Sequence, residues 1–182
     1  MPVKSPSDGH HGLTAPSPWI LRFAALAAPG GRVLDLACGA GRHARLFLAR
    51  GYRVTAVDRD LSGLADLREA PDLERLETDL EDGSGWPLAG RHFDALVVTN
   101  YLHRPLLGDI VASLAPGGLL LYETFAAGNE RFGRPRNPDF LLRSGELLEV
   151  VQGRLRVLAY EDLEVVEPHP AAVQRIAARA PG

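Results

Sequence analysis

The chain has 182 residues, enough for one domain with a sizeable core. With 46% apolar residues and a formal net charge of -3, it lacks the basic excess of a nucleic-acid or anionic-membrane binder. The single cysteine, Cys38, excludes an intramolecular disulfide and suits a reducing compartment, and every apolar stretch falls short of a membrane span.

Residues 1–16 are rich in Ser, Gly, His and Pro and carry no apolar signal-peptide core, so a flexible tail on a cytoplasmic chain is expected. Within it, His10 and His11 read as solvated residues rather than a metal site. One domain is expected over residues 17–182. Ser17 is placed to cap a helix that opens with Pro18 and ends at Gly30-Gly31. Arg32 to Leu36 reads as the first strand, Arg42 to Arg50 as a helix closed by Gly51, and Arg53 to Val57 as the second strand. A short helix from Leu61 to Glu69 stops at Pro71. Leu73 to Thr78 is the third strand, and Glu81 to Gly90 is a Gly- and Asp-rich loop.

Phe93 to Thr99 is a near-continuous apolar run, as in a central parallel strand covered on both faces. Leu106, Leu107, Ile110, Val111 and Leu114 have helical spacing, and Pro116-Gly117-Gly118 stops that helix. Leu119 to Phe125 is the fifth strand. Ala126 to Arg143 is a polar loop long enough to suggest function. Ser144 is placed to cap a helix from Gly145 to Val151. Arg154 to Val166 reads as a strand that turns at Pro168-His169-Pro170. Val173 to Ala180 returns as another strand, although its alanines suit a helix equally. Strands alternating with helices predict a doubly wound α/β sheet with right-handed crossovers. Ligands bind such sheets outside the carboxyl ends of the strands, at the switch point.

The sharpest signal is Leu34-Asp35-Leu36-Ala37-Cys38-Gly39-Ala40-Gly41-Arg42, a strand running through a Gly-x-Gly turn into a helix. Glycine lets a ligand approach the main chain closely there. Gly39 to Ala44 also satisfies the Gly-x-Gly-x-x-Gly/Ala dinucleotide pattern, with Asp58 near the expected ribose position. Two acids shift the balance. A carboxylate at Asp35 would repel a pyrophosphate and attract a cationic group. Thr78-Asp79 closes the third strand with a group able to accept from an exocyclic amine. Acids at Asp35, Asp58 and Asp79 suit a ligand with adenine, ribose, a cationic tail and no phosphate, which describes S-adenosylmethionine.

This ordered series, from Val33 to Gly41, then Val57-Asp58, then Thr78-Asp79-Leu80, resembles the motifs of class I S-adenosylmethionine-dependent methyltransferases over roughly residues 30–125. Within that superfamily the chain is most similar to small bacterial enzymes of the tellurite-resistance and thiopurine type. The resemblance implies a Rossmann-like seven-stranded sheet, mostly parallel with one antiparallel C-terminal strand from a closing hairpin. It also implies that Gly39, Gly41 and Asp35 meet the ligand's amino-acid end and sugar. Asp58 would take the ribose hydroxyls, Asp79 the adenine amine, the Leu80 N–H the ring, and Asn100 the methionine portion. Asn100-Tyr101-Leu102-His103 departs from the Asn/Asp-Pro-Pro-aromatic tetrad of enzymes acting on exocyclic amines of bases. No acid pair marks a catechol-type magnesium site.

Methyl transfer to a small-molecule acceptor is therefore the expected activity, by a monomer or weak homodimer with no nucleic-acid, membrane or metal partner. Glu123, an acid in an apolar strand, and His103, after the fourth strand, are the candidate catalytic bases. Each singled-out residue has a plainer reading. Asp58 can cap a helix, Asp79 can close a turn, and His103 and Arg104 can be surface caps. Cys38 fits as a small turn residue and Trp19 as core. Residues 129–138 are a solvated loop or a lid over the site. The alternatives are an NAD(P)-dependent oxidoreductase and a non-catalytic cofactor-binding module whose 129–137 loop docks a partner.

Overall fold

The computed structural model describes residues 15–167 and 169–182. His10 and His11, most of the expected tail, and Pro168 lie outside the described residues. The first helix, α1, spans Pro18–Phe23 and begins as its sequence dictates. The Ser17 hydroxyl accepts from the Trp19 N–H at 3.1 Å, and Pro18 takes a position where no N–H is needed. Trp19 is core, with its indole N–H donating to the Ile176 carbonyl at 3.3 Å.

Strands β1 (Arg32–Leu36), β2 (Arg53–Asp58), β3 (Leu73–Glu77), β4 (Phe93–Thr99) and β5 (Leu114–Phe125) pair in parallel, with α2 (Arg42–Ala49) and α3 (Leu107–Ala112) in the crossovers. After α4 (Glu146–Val151), β6 (Arg156–Val165) and β7 (Ala171–Arg179) close the sheet as a hairpin. The order is β3-β2-β1-β4-β5-β7-β6. Because β7 is antiparallel to both β5 and β6, it alone runs against the other six. This is the expected Rossmann-like sheet with one antiparallel strand, and the alanine-rich segment is that strand.

Strand alternation divides the core. Leu119 and Leu121 face a cluster with Trp19 and Ile20 of α1 and Phe47 of α2. Leu120 and Tyr122 face the other, with Ile110 of α3 and Leu147 of α4. Asp35 sits between Leu34 and Leu36 and shares the Val33 face, so its side chain goes down under α2.

Three local expectations need correction. Residues 62–67 form a kinked 3-10 turn around Leu64 rather than an α-helix. Pro116-Gly117-Gly118 does not simply end a helix, because it lies inside β5 where the register against β4 slips between Phe93 and Ala95. Ser144 does not cap α4. Gly145 occupies that position with φ +75°, and the Ser144 hydroxyl donates to Asp162 at 3.0 Å instead.

Candidate active site

The strand order reverses at β1, whose neighbours are β2 on one side and β4 on the other. Above the carboxyl ends of β1 to β4 lies a crevice of about 450 Å3. Ala37 contributes from β1, Asp58 and Arg59 from β2, Thr78 to Glu81 from β3, and Asn100 and Tyr101 from β4. Phe140 reaches it from the long loop. A larger recess of about 530 Å3, between residues 153–156 and 179–182, lies at the opposite end of the sheet and contains no motif residue.

Among the described residues, only Ala37 and Asn100 are non-glycines at positive φ, at 52° and 54°, and both line this crevice. Such backbone persists only where its surroundings hold it, and it collects at ligand sites. The Asn100 N–H is held by the Glu123 carbonyl at 2.9 Å, and the Cys38 N–H by the Val57 carbonyl at 3.0 Å.

The two motif glycines have different reasons to be glycine. Gly41 caps α2 at φ +75°, and a Cβ there would stand 2.2 Å from the Leu64 side chain. Gly39, at φ +54°, has nothing within 4 Å of where its Cβ would be, so the space above it is open. Its N–H donates to Asp58 Oδ2 at 2.8 Å, while Asp58 Oδ1 accepts from the Asp60 N–H at 3.2 Å. Asp58 thus closes two turns, and its remaining lone pairs are available in the crevice. Asp79 Oδ1 accepts from the Glu81 N–H at 2.9 Å, the turn role its sequence allowed.

Asp35 is not in the crevice. It is 1% exposed and accepts from the Ala44 N–H at 2.8 Å, in the first turn of α2. Burial pushes its carboxyl up to about 7. Beside it, His43 accepts from the Ser17 N–H on Nε2 at 3.1 Å. A backbone N–H can only donate, so Nε2 is unprotonated and Nδ1 carries the proton toward the Thr99 hydroxyl, 3.4 Å away. Burial, aided by Arg42, lowers His43 to about 3. Burial also raises the Cys38 thiol, so it is the small buried turn residue and not a reactive one.

The two candidate bases separate. His103 does not line the crevice, but its Nδ1 is 4.0 Å from an oxygen of Glu81, which does. Glu123 lies on the α1 face of β5, not on the crevice wall, with Arg175 of β7 2.6 Å from its carboxylate. The charge in that apolar run is paired. Glu81, Tyr101 and Phe140 were not singled out from the sequence, yet all three line the crevice. Burial, then the Glu81 carboxylate, pushes the Tyr101 phenol well above its ordinary value.

Residues 33–118 match the family described as "Methyltransferase domain". The chain is 30% identical over 126 residues to demethylmenaquinone methyltransferase of Renibacterium salmoninarum, covering 65% of this chain and 51% of that protein. It is 30% identical over 151 residues to malonyl-[acyl-carrier protein] O-methyltransferase of Serratia marcescens, covering 79% and 53%. In fold it is similar to TehB from Haemophilus influenzae, with a TM-score of 0.71, 21% identity, and 88% and 61% of the two chains covered. Over the matched segments and in fold, the chain is similar to class I S-adenosylmethionine-dependent methyltransferases. It spans about half the length of the curated relatives it matches.

The crevice fits S-adenosylmethionine chemically. Open space over Gly39, a carboxylate at Asp58 beside it and another at Asp79 suit a sugar, an amine-bearing base and a cationic tail. Among the described residues no helix is long and apolar enough to cross a membrane.

Proposed function

We propose that the protein transfers a methyl group from S-adenosylmethionine to a small-molecule acceptor. The occupation of the glycine-turn amides carries this reading. A dinucleotide site needs open N–H groups at the turn and helix start to cradle a pyrophosphate. Here the Gly39 N–H is bonded to Asp58, the Ala44 N–H to Asp35 and the Gly41 N–H to the Cys38 carbonyl. The amides a phosphate would use are taken, and the Asp58 carboxylate beside the turn favours a phosphate-free, partly cationic ligand.

In this reading Asp58 takes the two ribose hydroxyls, Asp79 the adenine amine and the Leu80 N–H the ring. Asn100 and the Gly39 turn border the amino-acid end. Bound there, the cofactor supplies an electrophilic methyl group on sulfur. The protein aligns the acceptor with it and excludes water. A proton leaving the acceptor goes to Glu81, which lines the crevice and has His103 Nδ1 4.0 Å from its carboxylate. Glu123, of the two bases expected, acts through the fold, by pairing with Arg175 and by its carbonyl's hold on Asn100.

The test joins affinity with turnover. Asp58→Ala should weaken S-adenosylhomocysteine binding by about 1.5–3 kcal/mol, the scale of hydrogen bonds to charged groups. In a screen of thiols, amines, phenols and oxyanions, release of S-adenosylhomocysteine should fall with that affinity. A folded variant with unchanged affinity would leave Asp58 only its turn-closing role.

A further inference from the structure

A second recess of about 270 Å3 adjoins the cofactor crevice and shares Glu81, Asn100, Tyr101 and Phe140 with it. Its other walls are Leu102, Thr124, Phe125 and Pro135. Carbon dominates this lining. Glu81 is its one charged group, while Arg59 stands on the crevice side only.

Phe140 is the unusual member. It is 47% exposed although aromatic, and it is fixed in place. The carbonyls on either side of it, from Asp139 and Leu141, accept from the Arg104 guanidinium at 2.7 and 2.9 Å. Arg104 is itself held by two hydrogen bonds to the buried Glu146 carboxylate, at 2.8 and 3.0 Å. An exposed ring with both flanking carbonyls tied down is a ready-made stacking surface. The Tyr101 hydroxyl adds a buried donor with no well-aligned partner, beside Glu81.

We propose that this recess takes the methyl acceptor, and that the acceptor is a flat, uncharged ring compound bearing an N–H or O–H group. Phe140 is its stacking platform and Glu81 is the group that rejects anions. This rests on the methyl-transfer reading. The size fits, because an apolar cavity of about 150 Å3 holds one benzene ring. Room of about 270 Å3 suits a substituted or fused ring. The charge fits too. Glu81, with Asp58 and Asp79 in the adjoining crevice, repels an anion, and no cation on the recess walls compensates. An N–H or O–H donor finds its acceptor in Glu81. Small oxyanions meet none of these conditions.

The test uses the full chain, with and without S-adenosylhomocysteine, and four probes: benzimidazole, 4-hydroxyquinoline, benzoate and selenite. Binding is followed by ligand-observed NMR. The two neutral rings should bind, and Phe140→Ala should weaken them by about tenfold while Phe140→Tyr restores them. Benzoate should be excluded until Glu81→Gln admits it about tenfold more tightly. Selenite should neither bind nor be methylated. Because Glu81 and Phe140 line both spaces, the change in ring binding should exceed any change in S-adenosylhomocysteine affinity and should appear equally without S-adenosylhomocysteine. The proposal is overturned if the rings do not bind, if their binding ignores Phe140→Ala, or if selenite is turned over. Ring binding in a protein that takes no S-adenosylhomocysteine would instead sink the methyl-transfer reading and leave a ring site without that reaction.

Discussion

Asp35 of β1 and His43 at the start of α2, both buried, give the protein two opposed pH dependences. Asp35 rises from an ordinary 3.8 to about 7, so the folded chain keeps a proton that the unfolded chain has released. Stability from this group therefore falls as pH rises through that window and is flat above it. His43 drops from 6.5 to about 3, so the unfolded chain binds the proton first. Its contribution rises with pH up to about 6.5 and is lost as pH falls. The two slopes oppose, each by as much as about 4 kcal/mol at 1.36 kcal/mol per pH step. Denaturant unfolding from pH 4 to 8 should give the two single variants profiles that depart from wild type in opposite directions. Relative to wild type, Asp35→Asn should gain stability with rising pH and His43→Gln should lose it. Parallel profiles for all three would contradict the account. At this scale, Asp58, Asp79, Leu80 and Asn100 were readable because each follows a strand at its carboxyl end. Asp35 was readable as an acid but not as a buried one, since its face depends on β1's cover by α2. Glu123 was misleading, because Arg175 meets it only through the β5–β7 register.

The long loop shows what an element gains from partners distant in sequence. Ala126 to Arg143 read as a polar, functional loop, and its polarity is used to fix it. Asn129 is 1% exposed, donates to the Pro135 carbonyl at 3.2 Å and accepts from the Ala172 N–H at 3.3 Å. The loop's two ends meet where the Ala127 N–H donates to the Leu142 carbonyl at 2.8 Å. Arg104 ties its middle to Glu146. Burial pushes the Glu146 carboxyl up, but the Arg104 hydrogen bonds and the Arg143 N–H outweigh it and hold it below its ordinary value. Ala172 and Arg104 are far from the loop in sequence, so the sequence suggested the loop's importance without its order. Arg104→Ala should cost about 1–3 kcal/mol, since it takes two hydrogen bonds from the buried Glu146 carboxylate and leaves it only Arg143. It should also speed proteolysis between residues 128 and 142. A combined Arg104→Met, Glu146→Leu variant should recover part of the stability. A single-variant loss below about 0.5 kcal/mol, the size of an ordinary surface change, would mean the clamp carries nothing.

For the whole molecule, the alternation of strands and helices was enough to fix the class of the sheet, because short crossovers and their handedness leave few topologies. The closing hairpin was harder. Ala171 to Arg179 is buried on both faces between β5 and β6, and an alanine-rich strand there looks like a helix until its neighbours are known. The sheet brings four strand ends to one switch point, where Asp58, Asp79 and Glu81 line the crevice. The central claim is that this point holds a phosphate-free nucleoside with a cationic tail. Isothermal calorimetry on the full chain tests it most directly. S-adenosylmethionine and S-adenosylhomocysteine should bind one per chain, and NAD and NADP should give no comparable heat. Tight binding of a nicotinamide dinucleotide, with none of either adenosyl compound, would contradict it.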